Sequence, residues 1–300
     1  MISLKQIKYA LAVADHGHFK RAAEACSISQ SALSGAISDM ETQLGFQVFE
    51  RDNKRVLVTK LGEEVLVRAR KIHIDVQDLH ALASSANAPM SGKLYMGMIP
   101  TIAQYLLPKV LPSIRSQYPD LNVVIDEDQS ETLVSRVKSG AIDCAVLALP
   151  YDCEGLLTLP FWQENFYLLA HKDDALSRRQ SVKVSDINLE HLLLLEDGHC
   201  LKDHALSACK LKPEQFDVEV RANSLGTLIN LVANKMGTTF VPEIALSEVL
   251  NHQSNLVAIK LDEVGPHREL ALILRPSYPR FDSLEHLKLL MVSCLSGSAP

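Results

Sequence analysis

The sequence has no apolar run long enough to cross a membrane, and its start, Met1-Ile2-Ser3-Leu4-Lys5, has no signal-peptide core. The expectation is a soluble, cytoplasmic protein. Cysteine pairs at metal-binding spacing are also missing. Cys26, Cys144, Cys153, Cys200, Cys209 and Cys294 are scattered along 300 residues with no Cys-x-x-Cys. That pattern excludes the dense framework of a small secreted domain and predicts free thiols, with any disulfide transient and regulatory. Nor is there an excess of positive charge. The formal net charge of -6 excludes general attraction to nucleic acid. The charge is uneven, however. Residues 1–60 carry eight Lys/Arg against six Asp/Glu, a net of +2, and the other 240 carry 22 against 30, a net of -8. A mildly basic head on an acidic body follows. The length suggests two domains or more, and a hydrophobic fraction of 47% gives ample core.

Leu4, Ile7, Ala10, Leu11 and Ala14 fall at helical spacing, and Gly17 ends the run. Phe19, Ala22 and Ala23 predict a second, short helix, broken by Cys26-Ser27-Ile28-Ser29. Ser29 is a good N-cap, and Leu33, Ile37, Met40 and Leu44 resume the helical period. Two helices joined by a four-residue turn are the core of a helix-turn-helix. Ser29, Gln30, Ser31 and Ser34 place small polar groups at the start of the third helix, suited to base edges and phosphates in a major groove. Phe49 to Thr59 reads as two short strands around a basic turn, a wing. Its Arg51, Lys54 and Arg55 are candidate phosphate contacts. Taken alone, the same pattern could be a three-helix module with serines on a solvated face.

From Thr59 to about Ser84 there is no proline and one glycine, Gly62. Leu61, Val65, Leu66, Ala69, Ile72, Val76, Leu79, Leu82 and Ala83 form an apolar stripe. The prediction is a helix of about 25 residues, ~38 Å long, capped by Thr59. Such a stripe needs covering, by a second copy or by the protein's own body. Ser84 to Gly92 reads as a hinge.

Beyond the hinge, strands and helices alternate: strands at Lys93–Met98, Asn122–Asp126 and Cys144–Leu149, a helix from Thr101 to Gln117 interrupted at Pro108 and Pro112, and another from Glu131 to Ser139. The alternation recurs through Tyr167–Ala170, Leu192–Leu195, Val218–Ala222, Ser224–Asn234, Thr238–Val241, Leu270–Leu274 and a last helix from about Ser283. A largely parallel α/β sheet system in two lobes is expected, crossing near Phe161–Asn165 and returning near Pro266–Arg268. Ligands should sit at strand C-termini between the lobes. Thr101, and Ser130 with Thr132, occupy such positions.

Ala22-Ala23-Glu24, Ser29 to Ser34, Leu44-Gly45, Val48-Phe49-Glu50-Arg51 and Thr59-x-x-Gly62 together resemble the winged helix-turn-helix of LysR-type transcriptional regulators. The layout of the remaining chain resembles their effector domain. The resemblance implies an α/β fold with three parts. Residues 1–60 form a winged helix-turn-helix DNA-binding domain. Residues 60–91 form a linker helix and hinge through which the chain dimerises. Residues 92–300 form a two-lobed, periplasmic-binding-protein-like regulatory domain, with lobe I at about 92–163 and 268–300 and lobe II at about 164–267. It also implies promoter DNA and RNA polymerase as partners, a tetramer of two dimers, and no turnover enzyme.

One stretch, Gly198-His199-Cys200-Leu201-Lys202-Asp203-His204 with Cys209, carries the chemistry. Read from its residues, it leaves three options. The thiols are inert packing residues; Cys200, Cys209, His199 and His204 hold zinc at a spacing weak for a preformed site; or a thiol in a cationic turn, between His199 and Lys202, is a redox nucleophile. The stretch resembles the sensor region of the peroxide-sensing, OxyR-type branch of the LysR family. Lys202 and His204 depart from that branch, where Arg and Gln are expected. The resemblance implies that Cys200 reacts with hydrogen peroxide, that Cys209 resolves it to a disulfide, and that Thr101, His199 and Arg268 line the peroxide pocket. A cellular thiol reductant would reset it; no cofactor or metal is implied. A co-inducer-gated regulator using the same cleft is the alternative.

Overall fold

The computed structural model describes residues 1–51, 56–87, 90–212 and 222–297. The chain divides into two compact units, Met1–Ala83 and Ser84–Pro300. Expected features at Lys54 and Arg55, at 88–89 in the hinge, and at 218–221 lie outside the described residues.

In the first unit, α1 (Leu4–His16) starts at a capping box, in which the Ser3 hydroxyl accepts from the Gln6 N–H and the Gln6 side chain accepts from the Ser3 N–H. It ends at Gly17, whose φ of 60° is a left-handed C-cap. α2 (Phe19–Ala25) and α3 (Gln30–Leu44) follow, with Ser29 capping α3 through a bond from the Ala32 N–H. Ile7, Leu11, Phe19, Ala22, Ala23, Leu33, Ile37 and Met40 form one core. Ala22 is fully buried and Ala23 nearly so, which lets the helices approach closely. β1 (Phe49–Arg51) and β2 (Val56–Val58) pair antiparallel as the expected wing.

α4 runs Lys60–Asn87, three residues past the expected end and ~42 Å long. Thr59 caps it, accepting from the Gly62 N–H at 2.9 Å. Gly62 must be glycine because a Cβ there would meet the Val48 carbonyl oxygen. The apolar stripe has two fates. Leu66 and Ala69 are buried in the core of the first unit, while Leu61, Ile72 and Leu79 stay exposed. Arg70 pairs with Asp15 at 2.7 Å and fastens α4 to α1.

The second unit carries β3 (Gly92–Met98), α5 (Pro100–Gln117), β4 (Leu121–Glu127), α6 (Ser130–Lys138), β5 (Cys144–Leu149), β6 (Leu157–Glu164), β7 (Phe166–His171), β8 (Ser181–Val182), β9 (Leu192–Leu193), α7 (Cys200–Ala208), α8 (Leu225–Ala233), β10 (Thr238–Pro242), α9 (Leu246–His252), β11 (Leu256–Leu261), β12 (Arg268–Leu274) and α10 (Phe281–Leu295). They form two five-stranded sheets, ordered β4-β3-β5-β12-β6 in lobe I and β8-β11-β7-β10-β9 in lobe II. The chain passes between the sheets twice, at Asn165 and at His267.

The sheets are mixed rather than largely parallel. β12 pairs antiparallel with both β5 and β6, and β7 pairs antiparallel with both β10 and β11. The reason is topological. β3, β4 and β5 end at the lobe boundary, and β12 re-enters lobe I there, so it must run the other way. Three strands escaped the sequence reading. β6 contains Pro160 and is admitted as an edge strand with a register shift at Leu270/Ala271. The short β8 and β11 are the others. The expected break of α5 does not occur. Pro108 and Pro112 both lie on its exposed face, while Ile102, Tyr105, Leu106, Val110 and Ile114 bury the opposite face and hold the helix together.

Candidate functional site

Three helices begin at one place between the lobes. α5 starts after Ile99, α6 after Gln129 and α7 after His199, and none of these N-caps supplies a side-chain hydrogen bond. Three helix N-termini without side-chain caps converge, an arrangement that favours negative charge. The cavity among them is lined by Ile99, Pro100, Thr101, Gln129 and Ser130 of lobe I and by Gly198, His199, Cys200 and Leu201 of lobe II. Its volume is about 10 Å³, near the minimum for one water. Gly198, at φ 92°, lets lobe II approach; a Cβ there would lie 2.7 Å from Gln129 Oε1.

Cys200 is the first residue of α7 and is 7% exposed. Burial pushes its thiol pKa up, against the opposing pull of Arg268 and of the nearby Ser130 hydroxyl. This corrects the expectation of a thiol lowered by its cationic neighbours. Lys202 is tied to Asp197 at 2.7 Å, and His199, half-buried on the cavity wall, is not among the groups that hold the thiol down. The resting state is therefore a protonated thiol. Arg268, Ser130 and the N-terminus of α7 stabilise the thiolate once the proton leaves.

Arg268 is 2% exposed at the start of β12. Its Nε donates to Glu164 Oε1 at 2.7 Å, and its Nη1 donates to Thr101 Oγ1 at 3.3 Å. Its guanidinium stands 5.7 Å from the Phe166 ring centre. Glu164 is equally buried, and its second oxygen accepts from the Ile244 N–H at 2.8 Å. This carboxylate was missed by the sequence reading, although it lies in the stretch recognised there as the crossing between lobes. Thr101, 4% exposed, accepts from Arg268 and keeps its own O–H free to donate into the cavity.

Ser130 is 2% exposed and lines the cavity, whereas Thr132 is exposed on α6 and does not. In a helix, positions two apart face different ways. Cys209 is the C-cap of α7 and is 5% exposed, with burial and then Glu263 pushing its pKa up to about 12. Nine residues of helix separate the Cα atoms of Cys200 and Cys209 by ~13 Å. Among the described residues no group of three or more metal-ligating side chains assembles.

In the first unit Ser29, Gln30 and Ser31 are exposed at the start of α3, Ser34 is half-buried, and Arg51 closes β1.

Residues 4–63 match the model of the bacterial regulatory helix-turn-helix proteins of the lysR family, and residues 87–289 match the LysR substrate binding domain. The chain is a LysR-type transcriptional regulator. EstR, an HTH-type transcriptional regulator of Acinetobacter baylyi, is 40% identical to it over 277 residues, 92% of either chain. The hydrogen peroxide-inducible genes activator of Dickeya chrysanthemi is 35% identical over 306 residues, 99% of this regulator and 100% of the relative. Among solved structures, a full-length OxyR variant from Pseudomonas aeruginosa superposes with a TM-score of 0.80 at 29% identity, covering 97% of this regulator and 95% of that chain. Helix-turn-helix and mixed α/β regulatory domain are thus those of the LysR family, and relatives and structural neighbours include OxyR proteins.

Proposed function

We propose that this regulator senses hydrogen peroxide at Cys200 and signals through a disulfide with Cys209. One observation carries the reading. A buried cysteine at a helix N-terminus lines a cavity of about 10 Å³ whose other walls bring Thr101 and Ser130 to the same space. Such a cavity takes a small polar molecule and little else. Arg268 holds Thr101, and Thr101 donates to one peroxide oxygen. The Cys200 thiol gives up its proton, and the thiolate sulfur attacks the other oxygen. The O–O bond breaks, Cys200 becomes a sulfenic acid, and the leaving hydroxide takes a proton to become water. Cys209 then condenses with the sulfenic acid, expelling a second water and leaving the disulfide. Two electrons have passed from two thiols to one peroxide. A cellular thiol reductant returns them, so the protein completes one half reaction per signal and is no turnover enzyme.

The separation of the thiols makes the event a switch. A disulfide needs Cα atoms within ~7 Å, so α7 must bend or unwind. α7 lies at the boundary between lobes, and its refolding reorients the body. The output is cytoplasmic. Residues Ser29, Gln30, Ser31 and Ser34, with Arg51, Lys54 and Arg55, engage promoter DNA. The exposed stripe of α4 pairs with a second copy, and two dimers make the tetramer that contacts RNA polymerase and activates antioxidant genes. The test is Cys200→Ser, which should abolish the promoter response to peroxide and keep DNA binding. A normal response in that variant ends the reading.

A second reading has its own observation. A cavity of about 360 Å³, lined by Gln104, Glu127, Leu195, Asn223 and Ser224, shares Pro100, Thr101 and His199 with the smaller one and could hold a co-inducer. The name of the relative at 40% identity says nothing of peroxide. Reversible gating would leave all thiols reduced during the response, and thiol mapping separates the two.

A further inference from the structure

One buried titratable group takes no part in the redox scheme. His204 lies one turn beyond Cys200 on α7 and is 4% exposed. Its Nε2 stands 2.9 Å from the carbonyl oxygen of Pro150, which follows β5 in lobe I. A carbonyl only accepts, so Nε2 carries the proton. The ring is then the neutral tautomer with a bare Nδ1, and Nδ1 has no protein partner. Burial first, and the Arg268 charge after it, hold the ring neutral against the opposing influence of Asp203 and the bond to Pro150. Lys202, the cation of α7, is tied within lobe II to Asp197. Apart from the contact between Cys200 and Ser130, His204 therefore supplies the hydrogen bond by which side chains of α7, among the described residues, hold lobe I.

We propose that His204 is the positioning residue of the switch: its bond to Pro150 pins the middle of α7 to lobe I, and the pin must release before Cys209 can reach oxidised Cys200. The inference rests on the redox reading above. His204 sits four residues after Cys200 and five before Cys209, at the centre of the segment that has to bend. Bringing Cα atoms from ~13 Å to within ~7 Å breaks the helical turns that present the ring to Pro150. The pin is releasable by construction. Docking buries Nδ1 without a partner, an expense recovered when the ring reaches water. The first oxidation needs α7 in place, with Cys200 against Thr101 and Ser130. The second needs it displaced. A pin of modest strength orders these steps and gives the sulfenic acid a lifetime.

Position 204 also permits a conservative control. Glutamine can donate from its amide to the same carbonyl; leucine fills similar space and cannot.

The experiment uses the reduced full-length chain and one equivalent of hydrogen peroxide. Sulfenic acid is trapped with dimedone and the disulfide is followed by mass spectrometry, in wild type, His204→Leu and His204→Gln. Amide hydrogen exchange across α7 is measured on the same reduced proteins. The sulfenic acid should form at a rate within about twofold of wild type in both variants. Closure to the disulfide should be about fivefold faster in His204→Leu, the size of one lost hydrogen bond, and close to wild type in His204→Gln. Exchange of α7 amides should quicken in the leucine variant alone. Unchanged closure in His204→Leu, a glutamine variant that behaves like leucine, or a first oxidation altered as much as closure would each overturn the pin. If wild type forms no disulfide between Cys200 and Cys209, the redox reading fails on its own account. The exchange data then decide the pin alone: it stands if α7 loosens in the leucine variant only, and falls if the variants are equal.

Discussion

Arg268 carries two jobs that a pair of substitutions separates. Arg268→Met removes the guanidinium and leaves Glu164 ionised, fully buried and held by the Ile244 N–H alone. Breaking a buried pair from one side costs about 3–5 kcal/mol. In the regulatory unit that corresponds to a fall in Tm of about 6–20 °C. Arg268→Met with Glu164→Gln removes both charges and keeps an oxygen for the Ile244 N–H, so most of the stability should return. Chemistry should not return with it. Arg268 heads the influences that oppose burial at Cys200, and it also orients Thr101. Losing a nearby opposite charge moves a pKa by about one to three units. Oxidation of Cys200 at pH 7 should therefore slow by about tenfold or more in both variants. Thermal unfolding reports the first quantity. Rapid peroxide mixing, quenched with an alkylating reagent and read by mass, reports the second. A double variant that regains its oxidation rate together with its stability would refute the reasoning and reduce Arg268 to a structural pin.

Other outcomes follow from the same geometry. Because burial raises the Cys200 pKa above its ordinary value, thiolate is the minor form near neutrality; its oxidation rate should climb about tenfold per pH unit from pH 6 to 8, and a flat profile would mean a preformed thiolate. A cavity of about 10 Å³ should discriminate by size, so cumene hydroperoxide should oxidise Cys200 at least about tenfold more slowly than hydrogen peroxide. Ser130→Ala should slow oxidation while Thr132→Ala leaves it unchanged, since only Ser130 lines the cavity beside the thiol. Gly62→Ala should lower the stability of the first unit by about 1–3 kcal/mol, read by urea unfolding, because its Cβ would strike the Val48 carbonyl.

Local patterns carried the sequence reading where one chain segment decides its own structure. The Leu4–His16 helix is bounded by Ser3 and Gly17, and α3 by Ser29 and Gly45, and these caps are visible in the residues themselves. The reading faltered where distant segments decide. Whether Pro108 and Pro112 break α5 depends on which face is buried, and that face is set by packing. β6 and β11 gain strand character from neighbours far away in sequence. The site shows the same division. Cys200, Thr101 and Ser130 stand at strand-to-helix junctions that the pattern reveals. The sign of the Cys200 pKa shift does not follow from its neighbours His199 and Lys202. It comes from burial, which outweighs the opposing charge of Arg268 sixty-eight positions away. Glu164 was invisible for the same reason: a carboxylate before Asn165 gains its role only beside Arg268. His204 looked like a departure from a motif until Pro150 was found against it.

The central claim is that peroxide joins Cys200 to Cys209 across a helix that must refold. Peptide mapping of disulfides, before and after one equivalent of hydrogen peroxide on the reduced full-length chain, tests it most directly. The account predicts six free thiols before, and afterwards a linked pair of Cys200 and Cys209 peptides lighter by two hydrogens with the other four thiols still free. Six free thiols after the promoter has responded, or a different cysteine joined to Cys200, would contradict it.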